Sequence, residues 1–269
     1  MLNLFKKPAK YTVSSFECNR GQLTIRGTEY RPAGNNLPVV IASHGFMANQ
    51  DTVKQYAIAL AEMGYAAYTF DFCGGCVIKG NSDGATTDMS VLTEVEDLRQ
   101  VVEYTQSLPY TDSDNITLLG CSQGGFVSAI LAAQLKEKIS KIVLFYPALC
   151  IPDDARAGKM MFAKFDPQNI PERINCGPMK LGRCYVADMV DKDPYEMISG
   201  CTANVLIIHG TDDKIVNIDY SRKALATYDK TLPRDKTVSL YVIESGAHGF
   251  SKKHDAQAIK VVKEFMKNP

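Results

Sequence analysis

No stretch of this chain comes near the roughly 18 consecutive apolar residues that a membrane-spanning helix needs, which argues against a transmembrane segment. The opening residues, "MLNLFKKPAKYTV", carry adjacent lysines but lack the apolar stretch of about 7–15 residues that forms the core of a signal peptide, so a cytoplasmic chain is expected. An excess of one charge is missing too. Thirty Lys plus Arg against thirty Asp plus Glu leave no overall field to recruit nucleic acid or an anionic membrane. The partner expected is therefore a small molecule, with no nucleic acid and no membrane insertion, and a homodimer stays open. Cysteine pairs at metal-ligand spacing are scarce: of eight cysteines only "CGGC" at 73–76 is a close pair, and it has neither a second pair nor histidines at ligand spacing. Neither a redox motif nor a metal site is read there, and the cysteines of a chain with ample core are expected to be mostly reduced. Internal repeats and low-complexity segments are also absent.

What is present is an alternation of strand and helix signals. A chain of 269 residues can bury about three quarters of its unfolded surface, so a large core needs no staples. "LTIRGTEYRP" (23–32) alternates like an antiparallel edge strand. "PVVIASHG" (38–45), "AAYTFDF" (66–72), "NITLLGCS" (115–122), "KIVLFYPAL" (141–149), "NVLIIHG" (204–210) and "SLYVIES" (239–245) are near-continuous apolar runs of the kind buried on both faces. Between them, Val53, Tyr56, Ala57, Leu60 and Ala61 recur at helical spacing, with Asn49 or Asp51 as cap and Gly64 as stop. Val91, Val95, Leu98 and Val102 stripe a second helix, Phe126, Ala129, Ile130 and Ala133 a third, and Ile259, Val262, Phe265 and Met266 a last one. The pattern predicts a mostly parallel sheet with helices on both faces, in one domain over 1–269. Residues 150–203 break the rhythm, being too long for one crossover helix, and read as an inserted lid.

"GCSQGG" (120–125) falls between a strand run and a helix run, which is where a nucleophile on a tight turn belongs. The turn lifts the Ser122 hydroxyl out of the sheet edge, and Gly120 and Gly124 let strand and helix approach. A serine hydroxyl is a poor nucleophile at neutral pH, so a histidine base and an orienting carboxylate must follow, each beyond a later strand. "LIIHGTDDKIV" offers Asp213 after the next-to-last strand and "YVIESGAHGF" offers His248 after the last. Asp212 is the rival carboxylate; Asp213 is preferred because it lies deeper in the loop, where the chain can turn back. The oxyanion donors expected are the backbone amides of Gln123, at the helix start, and of Phe46, in "SHGF". Only four histidines occur, so accidental candidates are few. His44 reads as structural, His209 and His254 as loop-packing and surface residues, and Cys121 as packing beside the serine.

At these residues the chain resembles the α/β-hydrolase superfamily across nearly its whole length. "SHGF", "FDFCGGCVIKGNSDG", "GCSQGG", "HGTDDKIV" and "GAHGF" are similar to that family's oxyanion loop, aspartate and glycine turn, elbow, acid loop and histidine loop. The resemblance implies no cofactor and no metal. The lid segment is similar to that of bacterial feruloyl and cinnamoyl esterases, in which polar lid residues meet the hydroxyl of an aromatic acyl group. It implies Asp154 and Tyr185 as substrate-binding residues here; the same two also fit as a helix cap and as lid core, and both readings stand. Met161 departs from the polar residue some relatives carry, and a buried ring hydroxyl without a partner costs roughly 1–3 kcal/mol.

The activity expected is that of a serine carboxylesterase on small esters, feruloyl or cinnamoyl esters by resemblance. A peptidase or acylaminoacyl-peptidase, a monoacylglycerol lipase and a thioesterase share the same machinery. A binding protein of this fold without catalysis is the reading outside enzymes.

Overall fold

In the computed structural model, which describes residues 10–78 and 80–267, the apolar runs become strands of an eight-stranded sheet and form its centre, except 239–245, which lies at the edge with only Ile243 of its strand buried and not on both faces as expected. In chain order the elements are β1 (Tyr11–Arg20), β2 (Leu23–Pro32), β3 (Leu37–Ser43), α1 (Lys54–Ala61), β4 (Ala66–Phe70), α2 (Val91–Gln106), β5 (Thr111–Cys121), α3 (Gln123–Leu135) and β6 (Lys141–Phe145). Then come α4 (Ile151–Arg156), β7 (Lys159–Met160), β8 (Ala163–Lys164), β9 (Arg173–Cys176), β10 (Met179–Gly182), α5 (Arg183–Ala187) and α6 (Pro194–Ile198). The last are β11 (Asn204–Gly210), α7 (Asp219–Thr231), β12 (Val238–Ile243) and α8 (Lys252–Lys267). Residues 1–9, which open the segment read above for a signal core, lie outside the described residues. Among the described residues no helix is long and apolar enough to cross a membrane.

The sheet order is β1-β2-β4-β3-β5-β6-β11-β12, antiparallel through the first three strands and parallel from β4 onward. Successive side chains of a strand point to opposite faces, so the continuous apolar runs feed two cores at once. Val39, Ile41, Leu118, Ile142 and Ile207 pack with α2, α3 and α7, whereas Val40, Leu119, Val143 and Ile208 pack with α1 and α8. The segment 23–32 is not an edge strand: β1 lies outside it and pairs along its full length. β1 buries only Phe16, which is why its sequence carries no strand signal of the buried kind. Asn49 caps a short helical turn at residues 50–52 by accepting from the Asp51 N–H, and α1 starts later, at Lys54, without a side-chain cap.

Between β6 and β11 the chain lays two short hairpins and three short helices over the carboxyl ends of the strands. Their Ile151, Met160, Ile174, Leu181 and Tyr185 belong to the same buried cluster as α2 and α3, so this interval shares the main core.

Candidate active site

β5 ends at Cys121 and α3 begins at Gln123, which leaves Ser122 alone to turn the chain. Its backbone sits at φ 54°, ψ −118°, a strained region for a residue with a Cβ that costs about 1–3 kcal/mol and lasts only where the surroundings enforce it. The enforcement is visible: the Ser122 N–H donates to Phe145 O at 2.9 Å, and Ser122 O accepts from the N–H groups of Gly125, Phe126 and Ala148. The turn is tight enough that a Cβ on Gly120 would lie 2.2 Å from Gly124 O, and one on Gly124 2.3 Å from His44 O. Gly120→Ala is therefore expected to force backbone apart, lowering stability by about 3 kcal/mol and the thermal midpoint by roughly 5–10 °C, as read by calorimetry. A midpoint within a degree or two of the unaltered protein would contradict this.

His248, on the loop after β12, places Nε2 3.0 Å from Ser122 Oγ and Nδ1 2.7 Å from Asp213 Oδ2. Asp213, on the loop after β11, is held from three further directions. Its Oδ1 accepts from the N–H groups of Ile215 and Val216, both at 2.9 Å, and its Oδ2 lies 3.2 Å from His209 Nε2. Burial alone would raise its pKa, but the bonds from His209, His248 and the Val216 amide outweigh it and hold the carboxyl well below the ordinary range. Asp213 is thus a carboxylate at neutral pH, which fixes the proton of His248 on Nδ1 and leaves Nε2 to accept from Ser122. Asp212 points elsewhere, to Lys214 Nζ at 2.6 Å on the surface.

Gln123, first residue of α3, has a backbone N–H that no helical carbonyl can meet. The loop bearing Phe46 is pressed against the elbow, since a Cβ on Gly45 would lie 3.1 Å from Ser122 Cβ. His44 holds that loop from below: its Nδ1 bonds Gly45 O at 2.8 Å, and its Nε2 accepts from the Phe72 N–H at 3.2 Å. Cys121 is buried, and burial pushes its thiol to about 12, so it carries no thiolate at neutral pH.

A cavity of about 310 Å³ opens beside Ser122, under the segment between β6 and β11. Phe46, Gln123, Asp154, Met161 and Tyr185 all line it. Tyr185 is wholly buried and its hydroxyl donates to Gln123 Oε1; Gln123 Nε2 in turn donates to Glu94 Oε2 at 2.7 Å. Asp154 is not the cap of α4, whose N-cap is Cys150; its carboxylate meets Lys159 Nζ at 3.0 Å on the cavity wall. Among the described residues, His44, Asp71 and Cys76 bring three potential metal-ligand atoms within 4.8 Å of one another, but His44 Nε2 and the Asp71 carboxylate are already hydrogen-bonded to backbone N–H groups.

Two buried residues beside the site carried a weaker sequence signal. His209 packs in the acid loop, bonded to Ser221 Oγ and Val216 O while it touches Asp213. Glu94 is fully buried, and desolvation pushes its carboxyl well above the ordinary range against the opposing bond from Gln123. It lies on the apolar stripe of α2, beside Val95 and one turn before Leu98, and a charge on a core face is the sign that could have marked it.

A family model described as serine aminopeptidase, S33 matches residues 34–181. The structure of Est1E from Butyrivibrio proteoclasticus with ferulic acid bound superposes with a TM-score of 0.84 at 26% identity, covering 93% of this chain and 97% of that one. Monoglyceride lipase of Mus musculus is 24% identical over 242 residues, which is 79% of this chain and 76% of its own length. The uncharacterized peptidase YtmA of Bacillus subtilis is 22% identical over 220 residues, 78% of this chain and 75% of its own.

Proposed function

The chain belongs to the α/β-hydrolase family described as serine aminopeptidase, S33, and on that premise we propose that it is a serine carboxylesterase for small esters of aromatic acids of the hydroxycinnamate kind. The observation that carries the reading is the hydrogen-bonded series Ser122–His248–Asp213 at the mouth of a cavity of about 310 Å³. Ser122 attacks the ester carbonyl while His248 takes its proton on Nε2 and then delivers it to the leaving alcohol. Asp213 keeps the imidazole in the required tautomer and stabilises its cation. The amides of Phe46 and Gln123 stabilise the oxyanion, and water then releases the acid from Ser122. These steps ask for no metal and no cofactor.

The residues between β6 and β11 serve as the lid of this site. Their apolar Ile151, Met160 and Val216 opposite suit a ring, and Asp154, paired with Lys159, is an acceptor for a ring hydroxyl. The likeness to Est1E, whose structure holds ferulic acid, supports the same acyl group. A peptidase would want a free carboxylate facing Ser122 to hold an ammonium terminus. Asp154 is neutralised by Lys159, and Asp153 turns to Arg156 and Tyr220, which weighs against that reading. A monoacylglycerol is the second substrate to test, because Phe162 at the cavity mouth is 74% exposed and Met161 and Ile215 beside it are also exposed apolar residues. Eight free cysteines suit a reducing compartment, and we place the protein in the cytoplasm.

A hydrolysis panel of methyl ferulate, methyl cinnamate, p-nitrophenyl butyrate, a monoacylglycerol and aminoacyl p-nitroanilides tests the assignment. Methyl ferulate is expected to lead, and Asp154→Ala to lower its kcat/KM about tenfold relative to methyl cinnamate, the cost of one buried hydroxyl left without its acceptor. Preferred cleavage of the anilides would replace the esterase with a peptidase, and a leading monoacylglycerol would move the acyl group to an aliphatic chain.

A further inference from the structure

A second cavity, of about 330 Å³, also reaches Ser122. Ser122 and Phe46 line both cavities, but His248 lines only this one. That asymmetry assigns the two halves of an ester. The proton that His248 Nε2 takes from Ser122 must pass to the leaving oxygen, so the leaving alcohol lies on the side where His248 is exposed to it. The acyl group then occupies the lid cavity.

The chemistry of the second cavity is one-sided. Thr52 Oγ donates to Asn49 O at 2.7 Å, Gln55 Nε2 donates to Thr52 O at 3.1 Å, and the Tyr56 hydroxyl donates to Asp255 Oδ1. The Thr52 and Tyr56 hydroxyl protons and one of the two Gln55 N–H groups are thus engaged within the protein. Beyond the second Gln55 N–H, these side chains retain acceptors, namely the Gln55 carbonyl, the Thr52 oxygen and the second carboxylate oxygen of Asp255. No ion pair to a lysine or arginine is formed by Asp255 among the described residues, and its chain neighbour His254 is the basic group that favours its charged form. The rings of Tyr146 and Phe250, edge to face with centroids 4.9 Å apart, complete the wall. A polyhydroxylic group offers oxygens as well as O–H groups, and among these side chains would find only the second Gln55 N–H for its oxygens. An ammonium group offers positive charge, with N–H donors as well where it is not quaternary, and the charge suits a carboxylate and aromatic rings.

We propose that this cavity is a leaving-group subsite for a cationic alcohol, with the Asp255 carboxylate as the anchor of its ammonium group. The inference rests on the esterase reading of Ser122, His248 and Asp213, and adds to it the class of alcohol released. Burial already lifts the Asp255 carboxyl above its ordinary range, the direction expected of a carboxylate short of a counter-charge.

The test compares four esters of butyric acid: butyrylcholine, 2-dimethylaminoethyl butyrate, methyl butyrate and monobutyrin. The two cationic esters are expected to exceed methyl butyrate and monobutyrin about tenfold in kcat/KM, through KM, and to lose that lead as salt rises. Asp255→Asn keeps an acceptor for the Tyr56 hydroxyl while removing the charge, and is expected to bring the ratio of cationic to neutral ester close to one. Gln55→Ala, at a half-buried position, is expected to lower the same ratio without the risk attached to a buried substitution. Equal kcat/KM for all four esters, or a cationic preference that survives Asp255→Asn, overturns the subsite alone. A lead for monobutyrin overturns it in favour of a polyol. Failure to cleave any ester, with Ser122 unlabelled by a fluorophosphonate, overturns the esterase reading and the subsite with it.

Discussion

Ser122→Ala is expected to lower kcat by about 10⁶ while leaving the thermal midpoint nearly unchanged, a magnitude on the pattern of serine hydrolases that lose their nucleophile. The two halves of the expectation come from different atoms. The hydroxyl makes one side-chain contact, to His248 Nε2, and nothing else in the core depends on it. The strained turn, by contrast, is held by backbone: the Ser122 N–H on Phe145 O and the three N–H groups on Ser122 O remain when the side chain is trimmed. Alanine pays the same φ of 54° that serine does. Kinetics on the best ester of the panel, calorimetry and fluorophosphonate labelling check this together. Retained turnover would remove Ser122 from the mechanism, and a large fall in midpoint would mean that the hydroxyl carries structure.

Asp213→Asn is expected to cost about 10⁴ in kcat, as for the analogous change in other triads. The geometry says why so small a change should matter. Oδ1 accepts from two backbone N–H groups, Ile215 and Val216, so the asparagine carbonyl must take that place and its NH₂ must face His248 Nδ1. That nitrogen then has to accept, the imidazole proton moves to Nε2, and the ring presents a donor to Ser122 Oγ where a base is needed. Asp212→Asn, at the exposed pair with Lys214, is expected to change kcat less than about threefold, in keeping with the small worth of a surface ion pair. If Asp212→Asn is the more damaging, the roles are reversed. The same carboxylate contributes an acid limb to stability. Its folded pKa lies below the unfolded value of about 3.9, so the contribution is complete above that pH and is lost as pH falls toward the folded pKa; Asp213→Asn should flatten stability against pH in that window.

The parts of the molecule legible from the chain alone are those governed by neighbours in sequence. The burial of β3, β5, β6 and β11 on both faces shows directly as unbroken apolar runs, and the stripe of α2 needs only the period of a helix. The tight turn at 120–125 could be expected because few residues other than glycine leave room for a backbone atom at 2.2 Å. Ser122, Asp213 and His248 could be set at strand ends, in order, for the same local reason. β1 escaped because an edge strand that buries one side chain has no apolar run to show. His209 and Glu94 were harder, because a polar residue in a core gains meaning from the partner it meets, and those partners lie across the fold.

The sequence by itself determined the apolar strands from β3 to β12 outside the lid, the helices α1, α2, α3 and α8, where the chain must turn without a side chain, and which residue types stand ready at the strand ends. Only the tertiary structure decided that His248 meets Asp213 and not Asp212, that Tyr185 turns its hydroxyl to Gln123, that Asp154 is shared with Lys159, and that Tyr56 and Asp255, 199 residues apart, close one wall of a second cavity. The division follows from range. Periodicity and turn sterics act within a few residues, whereas a hydrogen bond between side chains depends on placing two atoms within about 3 Å, and that distance is set by the packing of the whole sheet and its helices.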